Sequence, residues 1–322
     1  MIRHVAVGVI FNEQGQVLLS KRPSYVHQGN LWEFPGGKLN SGESVSQALS
    51  RELKEELGLK VLKARPLIQI HHNYSDCAVL LDTWKVEGFS GVARGREGQP
   101  IRWVWPKDLS HYNFPAANQS IVSAAQLPST YLITGDLVGD QAVFLGYLSQ
   151  SLIAGMRLVQ LRAKTLSFSD YASLAEEAQS LCARYGAALL LNTTPIQAVA
   201  LGADGVHLTS ERLMLCSQRP LATSKWVAAS CHSAEQLTHA ANIGVDFAVL
   251  GPVLKTQSHP HALPLGWDQL QTLIAGVSFP VYALGGLGWE HLEESWNRGA
   301  QGIAAIRSFW GKGLSGISAG WD

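Results

Sequence analysis

From Tyr131 onward one pattern recurs eight times: a short, almost wholly apolar run ends at a polar or glycine-rich turn, and a stretch with helical periodicity follows most of them. The runs are 131–134 (YLIT), 157–162 (RLVQLR), 187–191 (AALLL), 205–208 (GVHL), 226–231 (WVAASC), 247–252 (FAVLGP), 280–285 (PVYALG) and 302–306 (GIAAI). A half-solvated strand alternates apolar and polar residues, whereas a run apolar throughout belongs to a strand covered on both faces. Helical stretches at 170–184 and 233–243 supply the covering layer, so the runs read as parallel βα units. Eight such units in about 190 residues predict a compact (β/α)8 TIM-type barrel.

Barrels of this kind carry their chemistry at the C-terminal ends of the strands. The residues there are Gln160, Arg162, Lys164, Asn192, His207, Ser230-Cys231-His232, Gly251-Pro252, Gly285-Gly286 and Arg307. Arg162 with Lys164 suits a phosphate or diphosphate, and Gly285-Gly286 after the seventh strand suits backbone N–H donation to a phosphate. Taken singly, each is as well explained by a surface cation or a tight turn; their shared placement favours a site.

The first 127 residues read differently. Apolar runs at 4–11 and 16–21 flank Asn12-Glu13-Gln14-Gly15, a hairpin signal. Further strand-like runs lie at 66–72, 77–85 and 101–105, and 119–127 reads as helix, which gives an α/β unit of about 125 residues, a mixed sheet with helices. Pro128-Ser129-Thr130 is the expected boundary, so the domains are predicted at 1–127 and 128–322.

Within the first unit, GKLNSGESVSQALSRELKEELGL spans Gly37 to Leu59. Ser44 with Gln47 reads as a capping box, and Gly58 stands where a left-handed helix stop belongs. Glu52, Glu55 and Glu56 fall within about 100° of one another on the helix. Like charges at these spacings repel, so a helix needing only solubility would separate them. Three carboxylates on one side suit a hard divalent cation that bridges to phosphates; a solvated acidic face is the plainer reading of a bare ELKEE.

The full spacing decides between these. Gly37, Glu43, Arg51-Glu52-Leu53, Glu55-Glu56 and Gly58-Leu59 match every fixed position of the Nudix box, so residues 1–127 resemble the Nudix hydrolases. The resemblance implies Mg²⁺ (or Mn²⁺) held by Glu52, Glu55 and Glu56 with the Gly37 carbonyl, water attack on a bound polyphosphate, and Arg51 orienting the glutamates. Glu43 stays open, since charge near a helix N-terminus alone would account for it. LWEFPGGK (31–38), REGQP (96–100) and NFPAAN (113–118) further resemble the MutT branch, which converts 8-oxo-dGTP to 8-oxo-dGMP and pyrophosphate. By that resemblance Glu97 is a further acid beside the metals, Asn118 reads the oxidised purine, Arg22 lies beside the nucleotide, and Phe34 and Tyr74 line the base pocket. An amide offers a base edge both donor and acceptor, although Asn118 alone would read as a helix cap. Cys77 stands after Asp76, where that branch has an Arg.

VQLRAK, ADGVHL, SCHSAEQ, FAVLGPV and ALGG resemble the thiamine phosphate synthase/TenI family over about 130–310. Synthases of that family join a pyrimidine diphosphate to a thiazole phosphate with Mg²⁺ held by Asp; TenI members tautomerise a thiazole phosphate with a His. Here Thr193 follows Asn192, Thr209-Ser210-Glu211-Arg212 follows the fourth strand, and Thr256-Gln257-Ser258-His259 stands where a phosphate-binding Lys is expected. With both acidic metal ligands replaced, departure of a diphosphate loses its charge clamp. His232 remains, so the resemblance favours tautomerase-like chemistry or thiazole phosphate binding over full synthase activity, with a scaffold role close behind.

Composition narrows the partners. With 25 Lys+Arg against 25 Asp+Glu in 322 residues, formal charge is zero and no basic footprint argues for a nucleic acid polymer. No uninterrupted apolar span of about 20 residues argues for a membrane, and MIRHVAVGVIFNEQG reads as strand and turn, not as a signal peptide. Four scattered cysteines without a CxxC pair suit a reducing, cytoplasmic setting. A homo-oligomer is compatible with all of this. Three functions remain: clearance of 8-oxo-dGTP with a TenI-like barrel behind it; a thiamine-metabolism enzyme whose Nudix part hydrolyses a related diphosphate; or a barrel that only senses a ligand or dimerises.

Overall fold

The computed structural model describes residues 2–26, 28–74, 78–137, 139–256 and 262–311. Cys77 and the segment 257–259 lie outside the described residues. The chain divides into two compact units, residues 1–127 with 277–280, and residues 128–276 with those from 281 on.

The first unit is a two-sheet α/β structure. Its elements are β1 (Ile2–Ile10), β2 (Val17–Lys21), β3 (Trp32–Glu33), β4 (Gly36–Lys38), α1 (Val45–Leu57), β5 (Lys60–Asn73), β6 (Ala78–Ser90), β7 (Ile101–Val104) and α2 (Gln119–Gln126). One sheet has the order β4-β1-β6-β5 and the other β3-β2-β7. The predicted hairpin between β1 and β2 does not form as a ladder. The turn exists, with Gly15 N–H donating to the Asn12 carbonyl (2.9 Å) and Asn12 bonded to Gln16, but beyond the antiparallel bridge at Phe11–Val17 no ladder runs on between the two strands. Both edges of β1 are already taken, by β4 antiparallel and by β6 parallel. With its hydrogen bonds committed, β1 cannot also pair with β2, which joins β7 instead.

Alternation along β1 divides two cores. Ala6 and Ile10 face one way with Leu18 and Val86, where α1 buries Ala48, Leu49, Leu53 and Leu57. Val7 and Val9 face the other way with Phe34, Phe114 and Ile121. The period of two in the strand against 3.6 in the helix lets one strand serve both layers. Ser44 and Gln47 form the expected capping box, and Gly58 closes α1 at φ 73°.

The second unit is a closed parallel barrel of eight strands: β8 (Thr130–Ile133), β9 (Leu158–Leu161), β10 (Ala188–Leu191), β11 (Gly205–Leu208), β12 (Trp226–Cys231), β13 (Phe247–Leu250), β14 (Val281–Leu284) and β15 (Gly302–Ala305). Each pairs with the next and β15 returns to β8, through Ile303–Thr130 and its neighbours. All eight predicted strands are present. Seven helices follow β8 to β14 in turn: α3 (Gln141–Ile153), α4 (Phe168–Arg184), α5 (Pro195–Ala200), α6 (Ser210–Leu215), α7 (Ala234–Ile243), α8 (Gly266–Ala275) and α9 (Leu292–Asn297). Pro128-Ser129-Thr130 is not a free linker. Thr130 opens β8, Ser129 accepts from the Ile303 N–H, and the Tyr282 hydroxyl donates to the Pro128 carbonyl.

Tyr131, Phe247 and Tyr282 are fully buried inside the barrel and meet at centroid distances of 5.3–5.7 Å.

Candidate active site

In the first unit the site grows from three backbone segments that meet at α1. Gly36 (φ 154°) lies so close to β1 that a Cβ there would stand 2.1 Å from the Ala6 carbonyl, a position open only to glycine. At Gly37 a Cβ would fall 2.1 Å from the Glu52 carboxyl carbon, so the missing side chain is what lets that carboxylate lie on the backbone. The loop 95–99 is fastened to the C-terminal end of α1, because the Arg96 N–H (2.8 Å) and the Gln99 side-chain amide (3.2 Å) both donate to the Glu56 carbonyl. The Gln99 side chain also accepts from the Glu97 N–H (2.9 Å). That clamp brings the charge of Glu97 to bear on Glu56.

Glu56 consequently sits in a desolvated, anionic pocket. Burial first, then the charges of Glu52, Glu97 and Glu33, push its carboxyl up to about 8, opposed only by hydrogen bonding from the Gly36 backbone. Glu55 behaves differently from its helix neighbours. Its side chain is 57% exposed and bonds Arg51 (3.3 Å), so the shared face predicted for three glutamates resolves into Glu52 and Glu56 inward and Glu55 at the rim. Among the described residues no three carboxylate, imidazole or thiol groups already converge as a metal-ligating set.

Arg51 is the hub. It donates to Glu43 through Nε (2.9 Å) and Nη2 (2.8 Å), to Glu52 (2.7 Å) and Glu55 (3.3 Å) through Nη1, and to the Lys38 carbonyl (3.0 Å). Glu43 therefore has a partner beyond the helix dipole: Arg51, then the Asn40 N–H, hold its carboxyl down at about 2. Sequence reading missed Glu33, which burial raises above the usual carboxylate range. Its signal was adjacency, one turn of chain before Gly36-Gly37. Arg22 is ion-paired with Glu33.

The residues expected at the base pocket belong to the second core, where Phe34 and Phe114 are buried. Phe34 stacks on Phe114 (5.5 Å, 13°), and Tyr74 packs against the same cluster with His72 edge-on at 4.4 Å. Asn118 is 8% exposed. It stands at the start of α2 without capping it, and its side-chain amide has no hydrogen-bond partner among the described residues.

In the barrel the predicted residues separate into mouth and interior. Gln160 is 2% exposed and lies inside, donating to the Tyr131 hydroxyl (3.4 Å). The Tyr131 hydroxyl also meets His207 Nδ1 (3.1 Å), and His207 Nε2 meets the Ser230 hydroxyl (2.8 Å). Burial drives His207 down to about 3, so this chain is neutral. A histidine lowered on folding stabilises the folded chain above its unfolded value near 6.5 and loses that contribution as pH falls toward 3. Urea unfolding of the barrel is therefore expected to weaken from pH 7 to pH 4, with a smaller loss in His207→Gln; equal losses would contradict it.

At the mouth, Arg162 pairs with Asp136 (2.9 Å) and its loop is pinned by Thr134, while Lys164 is exposed. Asn192 accepts from Arg212 (3.0 Å). His232 Nδ1 meets the Gly251 carbonyl at 2.6 Å; an N–H donated there leaves Nε2 as the lone-pair nitrogen of the neutral ring. Gly285 and Gly286 have φ of 105° and 69°, and side chains there would strike Pro252 and the Lys255 carbonyl. These glycines are thus required by the crossing of two loops, whether or not a phosphate is bound.

Comparison with known proteins places both halves. A family model described as NUDIX domain matches residues 6–124, and one described as thiamine monophosphate synthase matches residues 130–309. The 8-oxo-dGTP diphosphatase of Escherichia coli (strain K12) is 35% identical over 119 residues, 37% of this chain and 92% of that protein. The chain is a Nudix domain fused to a thiamine monophosphate synthase/TenI domain. The fused barrel is similar to a protein of Aquifex aeolicus (strain VF5) whose name places it among thiamine-phosphate synthases, 39% identical over 184 residues, 57% of this chain and 98% of that one. It is also similar to the thiamine-phosphate synthase of Desulfitobacterium hafniense (strain Y51), 31% identical over 55% of this chain and 87% of that protein. No helix among the described residues is long and apolar enough to cross a membrane.

Proposed function

We propose that the Nudix domain hydrolyses 8-oxo-dGTP to 8-oxo-dGMP and pyrophosphate and so sanitises the nucleotide pool. The observation that carries the reading is the side-chain amide of Asn118, which does not cap α2 and follows closely after Phe114, the stacking partner of Phe34, in the same unit as the acidic cluster of α1. The all-oxygen donor set fits a hard divalent cation: Glu52, Glu56 and Glu97, with Glu55 and the Gly37 carbonyl, would hold Mg²⁺ or Mn²⁺. Such an ion, when bound, neutralises phosphate charge and makes water more acidic.

The chain's own groups do the rest. Arg51 fixes the Glu52 and Glu55 carboxylates in place. A carboxylate of the cluster accepts the proton of the attacking water as the bond between the α- and β-phosphoryl groups breaks and pyrophosphate leaves. Phe34 and Tyr74 border the base, Arg22 lies toward the nucleotide through its Glu33 pair, and the Asn118 amide meets the purine edge.

Pyrophosphate release measured with 8-oxo-dGTP and with dGTP tests this. A strong preference for the oxidised nucleotide is expected, falling by about 10- to 100-fold in Asn118→Ala, the range for one or two lost hydrogen bonds to a ligand. Equal kcat/KM for both nucleotides in the wild-type protein would remove the sanitising role and leave a general Nudix hydrolase.

For the barrel we propose binding of a phosphorylated thiazole, with His232 Nε2 moving a proton between ring positions. The Nδ1 contact to Gly251 supports it, since it orients the ring with Nε2 as acceptor. Loss of isomerisation in His232→Ala, with thiazole phosphate still bound, is the expected result.

A further inference from the structure

The synthase family implies Mg²⁺ at the barrel, and the residues at this mouth do not fit it. The three loops that follow the adjacent strands β9, β10 and β11 carry Arg162, Lys164, Asn192, Thr193 and Thr209 near the strand ends, and the first turn of α6 adds Arg212. The one carboxylate among these loops and the first turn of α6 is Glu211, which is exposed. Asp136, after β8, is already bound by Arg162. A dication placed here would meet guanidinium and ammonium groups where it requires anionic oxygen.

Arg212 is instead built in as a cation. Its Nη1 donates to Asn192 Oδ1 (3.0 Å) on the neighbouring loop, and it forms no salt bridge among the described residues. Tyr171 ties the corner together: it is 7% exposed, its hydroxyl donates to the Leu161 carbonyl (3.0 Å), and it lies beside the Asn192 N–H and within the field of Arg212. Arg212 is therefore held over the ends of β9 and β10 by one amide and keeps its remaining donors uncommitted to any carboxylate. Guanidinium groups in that state pair with phosphate oxygens through two parallel bonds.

We propose that the barrel mouth binds a phosphate- or diphosphate-bearing ligand without a divalent cation, Arg212 supplying the positive charge. This rests on the reading of the barrel as a phosphate site. It extends that reading by naming the counter-charge and by making the site indifferent to chelation.

Calorimetric titration of the full chain with inorganic pyrophosphate tests it, run in EDTA and again in excess Mg²⁺. The expected result is saturable binding in EDTA that Mg²⁺ does not tighten. In Arg212→Gln the dissociation constant is expected to rise at least about tenfold, the scale of one charge-assisted bond. Arg212→Lys should restore part of the affinity, which separates lost charge from lost folding. Binding weakened by Arg162→Gln but unchanged in Arg212→Gln would overturn the assignment of Arg212 and leave the phosphate reading standing. Binding indifferent to both substitutions, or none in the wild-type chain, would overturn both. Affinity that appears only with Mg²⁺ would overturn the metal-free site.

Discussion

Glu56→Gln is expected to cut 8-oxo-dGTP hydrolysis by on the order of 10²–10³-fold, the range seen when one preorganised electrostatic group is removed from a reaction centre. The reason lies in its surroundings. Glu56 is the carboxyl on which Glu52, Glu97 and Glu33 all act, and burial adds to their effect. Gln keeps the shape and removes the charge, so the Arg96 and Gln99 bonds to the residue-56 carbonyl persist. The variant should therefore fold, with circular dichroism and melting temperature close to wild type at neutral pH. Steady-state kinetics with inorganic pyrophosphate detection would measure the loss. Activity within threefold of wild type would move the reaction away from this cluster.

The second large effect is a pH dependence of the metal-free protein. The folded carboxyl of Glu56 titrates near 8 against an ordinary value of 4.5. Its folded-state affinity for protons is raised, so the contribution of Glu56 to stability is fully present below about pH 4.5 and is lost as pH climbs toward 8. Between these values folding takes up a proton, and a cation that binds the cluster expels it. Two measurements follow. Melting of EDTA-treated protein should decline across this window, and Glu56→Gln should flatten the decline. The logarithm of Mg²⁺ affinity should climb with pH by up to one unit per pH unit below about pH 8 and level off above it. A pH-independent affinity would mean that no proton leaves Glu56 when the ion arrives.

What the sequence disclosed follows the range of the forces involved. The capping box of Ser44 and Gln47, the stop at Gly58 and the eight barrel strands depend on neighbours a few residues apart, and all were legible. The β1–β2 hairpin was misread because its signal is local while its outcome depends on β4 and β6 occupying both edges of β1. Arg51 was legible as an organiser, but not its two bonds to Glu43. Pairings such as Arg22 with Glu33, or Arg212 with Asn192, join segments whose proximity only the folded chain reveals. Gln160 was placed at the mouth by its position near a strand end; strand alternation turns it into the barrel interior, toward Tyr131.

The fastening of the 95–99 loop to the Glu56 carbonyl has an engineering consequence. The loop that carries Glu97 is tied to the Glu56 carbonyl by the Arg96 main chain and the Gln99 side chain, so the helix and that distant loop behave as one exchangeable cassette. Transplanting α1 into another sheet scaffold without Arg96 and Gln99 would deliver the motif and lose its fourth acid. A chimera that carries both pieces should keep the raised titration of Glu56, and one that carries the helix alone should shift it back toward an ordinary glutamate.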